Sequence, residues 1–320
     1  MTWAKSAISA LVLSMTLAAC GGGSSGGTTS TATAAPNFTS ASQVSTFVSN
    51  VTLPMGIAVD STGNLYILSG GQTFNILKVS SSGSIINTSL ISSASFLSNP
   101  LLIDSSGNIY DTTQVQLGIE TGHLQQYDST GNLLSSTNIN MDAAGLARDS
   151  NNNIYITGAS TTSVNYIKKF SNGTLTTVVD SSNPPQGLPT GWAPKGIVVD
   201  STGNIFVVDV GNSQIDKIDT SGNFSVLTLT PQLTSFSGAI TVDSSNNLYV
   251  LSSGKLISKI TSVGAVSTVA GISSSAAGNT NGPVTTATFN FTPVNNLVFD
   301  NSGNLYVTET GTSDIRKIAP

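Results

Sequence analysis

The chain has 320 residues, of which only 8% are charged, a formal net charge of −5 and a single cysteine. Without a basic stripe to follow phosphates, nucleic acid is excluded as an expected partner. One cysteine leaves no disulfide framework, so the polar surface rests on Ser, Thr, Asn and Gly.

In chain order, the first segment carries Lys5, then an apolar stretch from Ala7 to Ala19 that closes in Leu17-Ala18-Ala19-Cys20. The run is short for a membrane span, and small residues before the cysteine suit a peptidase groove, so residues 1–19 read as a removed export signal. The pattern resembles the lipobox of bacterial lipoproteins. That resemblance implies a lipid on Cys20, and Gly21, in place of an inner-membrane-retaining aspartate, implies the outer membrane of the cell envelope. Residues 20–42 are mostly Gly, Ser, Thr and Ala with no charge, the composition of a flexible tether. Residues 43–320 are enough to bury roughly three quarters of their unfolded surface as one unit, and no second domain is needed.

Within that unit one phrase occurs six times: DSTGNLY from Asp60, DSSGNIY from Asp104, DSNNNIY from Asp149, DSTGNIF from Asp200, DSSNNLY from Asp243 and DNSGNLY from Asp300. The spacings are 44, 45, 51, 43 and 57 residues. Short strands repeating at that period point to a radial β-array. In the first copy, Gly56 to Val59 reads as a strand, Asp60 to Asn64 as a turn and Leu65 to Leu68 as a second strand. A third strand over 75–80 and a fourth from Ser84 complete a four-stranded blade. A lysine recurs in the third strand as Lys78, Lys169, Lys217, Lys259 and Lys317, with Gln126 in the second blade, and repetition gives it a structural role. Arg148 stands before a turn aspartate where the other copies have apolar residues, and should reach solvent or an acid.

The sixth blade ends after three strands. Val44 to Val48 matches the fourth strand of the fifth blade, Val266 to Ala270, so pairing it with residues 314–318 closes the ring and buries Phe47 and Val48. The expected fold is all-β: a six-bladed β-propeller of four-stranded antiparallel blades, closed by an N-terminal strand. At this point residues 43–320 resemble NHL-repeat propellers, most closely in Gly196–Asp200 with Asp209–Ile218, and in Ala287–Phe289 with Thr308–Gly311 and Ile315–Ile318. WD-type propellers lack the Asp-x-x-Gly-Asn hairpin, and the second blade departs from the pattern between Asp111 and Gly122.

Long loops at 113–122, 181–195 and 271–294 all fall on one face, where propellers bind ligands, although such loops are also neutral decoration. The candidate ligand-binding residues are Trp192, Lys195, Asp209, Glu309, Asp111, Glu120 and His123. Trp192 is read either as an exposed contact for a sugar or peptide or as a plug over the ring. Asp209 and Glu309 either face the channel mouth or cap loops. Catalysis meets a shortage of reagents: His123 is the single histidine, and Glu120 and Glu309 are the only glutamates. Related propellers that act as lactonases or lyases need several metal ligands or a paired His and Glu. Each turn supplies one carboxylate, too few for a calcium cage. No cofactor and no metal ligand set is expected. The chain reads as a lipid-anchored envelope scaffold for a protein, peptide or glycan, with a propeller hydrolase or lyase as the competing reading.

Overall fold

The repeated phrase is a hairpin turn held by its own aspartate. Asp60 Oδ1 accepts the backbone N–H groups of Thr62 and Asn64, both at 2.9 Å, and Oδ2 accepts Asn64 Nδ2 at 3.0 Å. Where the turn lacks glycine, Asn152 and Asn246 occupy its left-handed place at φ 62° and 63°, the region asparagine tolerates best among side-chain-bearing residues. The same turn chemistry recurs between third and fourth strands at Asp128 with Asn132 and at Asp219 with Asn223.

The turn carboxylate also fastens the next strand. The hydroxyls of Tyr66, Tyr110, Tyr155, Tyr249 and Tyr306 donate to Asp60, Asp104, Asp149, Asp243 and Asp300 at 3.1–3.4 Å. Directly across the ladder, Lys78, Lys169, Lys259 and Lys317 hold their ammonium groups 4.9–5.7 Å from the Tyr66, Tyr155, Tyr249 and Tyr306 ring centres, and Lys217 lies over Phe206. The repeated lysine is therefore a cation–π brace, each contact contributing about 0.5–1 kcal/mol at a solvent-facing site.

These units assemble, in the computed structural model, which describes residues 35–320 except 72, 94–96, 114–121, 275 and 293, into six antiparallel blades. The export signal, Cys20 and Glu120 lie outside the described residues. The first five blades run from Pro54–Val59 to Ile85–Ser93, Leu97–Ile103 to Leu133–Asn138, Asp142–Arg148 to Thr174–Asp180, Pro194–Val199 to Phe224–Val226, and Phe236–Val242 to Val266–Ala270. Second strands such as Leu65–Ser69 and Leu305–Glu309 are buried at every position, because each blade is covered on both faces. Ile57, Leu65 and Ile67 pack on Val298, Tyr306 and Ile315 of the last blade, while Ala58, Tyr66 and Leu68 pack on Leu101, Ile103 and Ile109 of the second.

The sixth blade holds Leu297–Phe299, Leu305–Glu309 and Asp314–Ala319, and its fourth strand is Gln43–Val48. The pairing runs Gln43↔Ala319, Val44↔Ile318, Ser45↔Lys317 and Thr46↔Arg316, then slips so that Val48 meets Ile315. That bulge changes the expected burial. Val44 and Val48 enter the core, but Phe47, the extra residue, is only half-buried and lies edge-on against the Tyr306 ring, centres 4.9 Å apart. Phe38, from the segment read as tether, packs against Phe299 and Tyr249. Arg148 also departs from expectation: it is buried rather than solvent-seeking, and its guanidinium donates to the Asn152 side-chain carbonyl of its own turn.

Candidate functional site at the channel mouth

The six innermost strands converge on the channel, and the approach is close. A Cβ on Gly196 would sit 2.1 Å from the Gly238 carbonyl oxygen, so only glycine allows blades four and five to meet there. At this end the ladder between first and second strands slips in five blades, at 54/57, 97/101, 143/145, 194/197 and 236/240. Bulges of this kind re-aim side chains and take main-chain groups off the ladder. The loops 181–193 and 271–296 feed the inner strands at the same end, which makes it the long-loop face.

A cavity of about 320 Å³ opens at this mouth, and Asp142, Lys195, Ser237, Asn295 and Asn296 are its polar lining. Asn295 is committed to its own loop: its Nδ2 donates to Thr310 Oγ1 at 2.9 Å and its Oδ1 accepts the Thr292 N–H. Lys195 is different. Its aliphatic stem lies across Gly238, where φ is +104° and a Cβ would stand 2.7 Å from Lys195 Cδ. Among the described residues its ammonium has no ion pair, hydrogen bond or aromatic ring, whereas the five repeated lysines sit over rings, Lys168 donates to the Ile139 carbonyl and Arg316 is paired with Glu309.

From the mouth a trough runs outward over blades three and four. A second cavity of about 210 Å³ shares Asp142, Ala143, Ala144 and Lys195 with the first, and continues past Ala159 and Val210 to Asn165. Asn165 also borders a third cavity of about 370 Å³, walled by Ser163, Ser181, Pro184, Leu188 and Pro189.

The other candidates have structural occupations. Trp192 is 3% exposed and packs against Ile167, Val179, Ile197 and Val207. Its Nε1–H donates to Asp216 Oδ2 at 2.8 Å, so it is the plug. Burial pushes the Asp216 carboxyl up to about 7, opposed by the Gln214 hydrogen bond and reinforced by the Asp209 charge. Asp209 caps its loop, accepting the N–H groups of Ala193, Gly211 and Asn212 at 2.9–3.3 Å. Glu309 accepts from Arg316 at 2.6 Å, both side chains sealed from solvent, and burial raises its carboxyl despite the Asn290 N–H and that guanidinium. Asp111 is buried with its oxygens unpartnered, and burial pushes its carboxyl up to about 7. His123 pairs with Thr113 in the second blade. Of the sequence candidates among the described residues, only Lys195 lines the mouth.

Asp142, Ser237, Asn296 and Asn165 escape a reading based on the repeated phrase, since they lie outside it. For Asn296 a positional signal exists: the residues four and five places before the turn aspartates of blades three to six line the mouth, and Lys195, Asn295 and Asn296 are the polar ones among them. A divalent ion of the kind a propeller hydrolase would use does not fit the donor set of the described residues, among which Asp142 is the mouth's single carboxylate and Asn295 is committed to Thr292 and Thr310. No group of three His, Cys, Asp or Glu side chains placed to hold a metal occurs among the described residues.

No protein-family model and no curated protein matches the chain. Solved structures do match its fold. A gluconolactonase from Xanthomonas campestris is 14% identical, over 89% of this chain and 95% of that one, with a TM-score of 0.61. An auxiliary nutrient binding protein from Bacteroides thetaiotaomicron is 12% identical, over 87% and 76%, at 0.60. A catalytically inactive virginiamycin B lyase from Staphylococcus aureus, in which a histidine is replaced, is 19% identical over 84% and 96%, at 0.58, and was solved with quinupristin. The fold and its mouth thus define the class: a six-bladed β-propeller sharing its architecture with lactonases, lyases and a binding protein.

Proposed function

We propose that this chain is an NHL-type propeller, carried by a lipid on Cys20 at the bacterial outer membrane, that binds a protein, peptide or glycan on its long-loop face. The observation that carries the reading is Lys195, an uncommitted ammonium in a polar cavity. In a chain so poor in charge, where the five repeated lysines sit over rings and Lys168, Arg148 and Arg316 are engaged by carbonyls or an acid, a free cation at the mouth is a group held for something external. The NHL assignment draws support from the Asp-x-x-Gly-Asn turn and its Tyr–Lys brace.

The hydrolase or lyase reading finds less support in the site. Asp209 and Glu309 spend their oxygens on loop N–H groups and Arg316, and His123 is placed in a different blade from both. A thermal-shift screen of oligosaccharides and short peptides tests binding. Ligands that raise Tm of the parent should leave Lys195→Ala unmoved, with the unliganded Tm of that variant unchanged; ligands that stabilise both equally would remove the mouth from consideration. Anchoring has its own measurement, radiolabelled palmitate incorporation, which Cys20→Ser should abolish.

A further inference from the structure

We infer that the trough takes an extended peptide, whose terminal carboxylate seats on Lys195 and whose chain runs outward past Ala159 and Asn165 toward the loop at 181–192. The inference rests on the binding reading above and deepens it. Three observations point the same way.

Shape comes first. The three cavities adjoin in sequence, the first and second through Asp142, Ala144 and Lys195 and the second and third through Asn165. A single small ring-shaped ligand fills the first of them, whereas a linear oligomer of three to four units uses all three.

Lining chemistry comes second. Among the described residues the walls offer no exposed aromatic face on which a sugar ring would stack, since the one aromatic residue lining them, Trp192, is turned into the core. What they offer is small apolar surface from Ala143, Ala159, Pro194, Val210, Leu188 and Pro189, alternating with amide and hydroxyl groups. The inner strand Asp142–Arg148 adds main-chain groups at its bulge between Ala143 and Gly145. An extended peptide presents the complement: a backbone donor and acceptor at each residue, and side chains on alternate sides.

Charge comes third. Among the described residues Lys195 and Asp142 are the only charged side chains in the mouth and the middle cavity. The unpaired ammonium matches a carboxylate.

The test uses the mature chain and dansyl-tetraalanine, with its C-terminal amide, dansyl-dialanine, cellotetraose and chitotetraose as comparisons, followed by fluorescence anisotropy and calorimetry. The free acid should bind at least about tenfold more tightly than the amide, the worth of one charge-assisted hydrogen bond. Lys195→Ala should erase that ratio. Ala159→Trp, which fills the middle cavity, should remove the advantage of the tetrapeptide over the dipeptide while leaving dipeptide binding in place. Circular dichroism and Tm verify that both variants fold. Binding of the tetrasaccharides without the peptides would overturn this inference and leave the mouth as a binding site, whereas peptide binding indifferent to both the amide and Lys195→Ala would overturn it and remove the mouth from consideration. Failure of every probe, with the thermal-shift screen also empty, would sink the binding reading itself.

Discussion

Asp111 is the residue at which the repeat is broken most expensively. In the other blades the same strand position holds Ile67, Ile156, Val207, Val250 and Val307, and the strand neighbour Ile109 packs against Leu68 of the first blade and Leu101 of its own. A carboxylate there has lost its water and gained no donor, so burial pushes its titration up to about 7. The sign of the consequence follows. Between pH ~4 and ~7 the folded chain keeps the proton that the unfolded chain releases, so stability is full below the ordinary aspartate range and is lost as pH rises, by ~1.4 kcal/mol per pH unit for each such group. Asp216, also raised to about 7 by burial, adds a second proton of the same sign. Turn aspartates act oppositely at lower pH: burial raises Asp60, but its bonds from Thr62 and Asn64 outweigh this and hold its carboxyl below the usual range. Urea unfolding should therefore show greatest stability in mildly acidic buffer. Asp111→Val should stabilise the protein at pH 8 by a few kcal/mol and leave it nearly unchanged at pH 4; equal shifts at both values would show that Asp111 is not protonated in the fold.

At the scale of elements, the loop 181–193 shows how a binding feature and a packing feature are told apart. Trp192 belongs to the core cluster of blades three and four, and its indole N–H satisfies Asp216, which Gln214 also bonds at 2.7 Å. Trp192→Ala should cost ~3–5 kcal/mol in urea unfolding, the range for emptying a large aromatic site, with added cost from an Asp216 carboxyl stripped of a donor. A variant that unfolds at the parent midpoint would return Trp192 to the list of ligand contacts. This element also marks how far the sequence is legible. The hairpins were readable because Asp, Gly and Asn at fixed offsets define a turn locally, and the lysine position because it recurs five times. The bulge that leaves Phe47 half-buried was not, since register slips depend on both strands at once. Nor was the mouth, which gathers Asp142, Lys195, Ser237 and Asn296 from four blades. Only Lys195 could be nominated beforehand, through its place in a long loop.

For the whole molecule, the decisive join is between the ends of the folded chain. Gln43–Val48 completes the last blade and then passes directly into Pro54–Val59 of the first, so the peptide chain itself ties blade six to blade one. Side-chain packing across that seam is already extensive, with Val298, Tyr306 and Ile315 against Ile57, Leu65 and Ile67. Further bonds reach across it from Thr308 to the Met55 carbonyl at 3.1 Å and from Thr310 to the Pro54 carbonyl at 2.7 Å. The covalent tie and the packing make separable contributions. Gln43 faces Ala319 in antiparallel register, so a five-residue Asp-Ser-Thr-Gly-Asn turn, like the one at 128–132, can join Pro320 to Gln43. A chain rearranged in this way, beginning at Leu53 and carrying residues 43–52 after that turn, keeps every blade at four strands while cutting the tie. It should fold to the same β-rich circular dichroism spectrum and remain monomeric on size exclusion, because no ladder edge is exposed. It should also unfold faster in urea than the parent, since the seam between blades six and one is then held by packing and hydrogen bonds alone. An unfolding rate equal to the parent's would mean that the seam is not where the ring opens; failure to fold would mean that the N-terminal strand closes the ring by its connectivity rather than by its pairing.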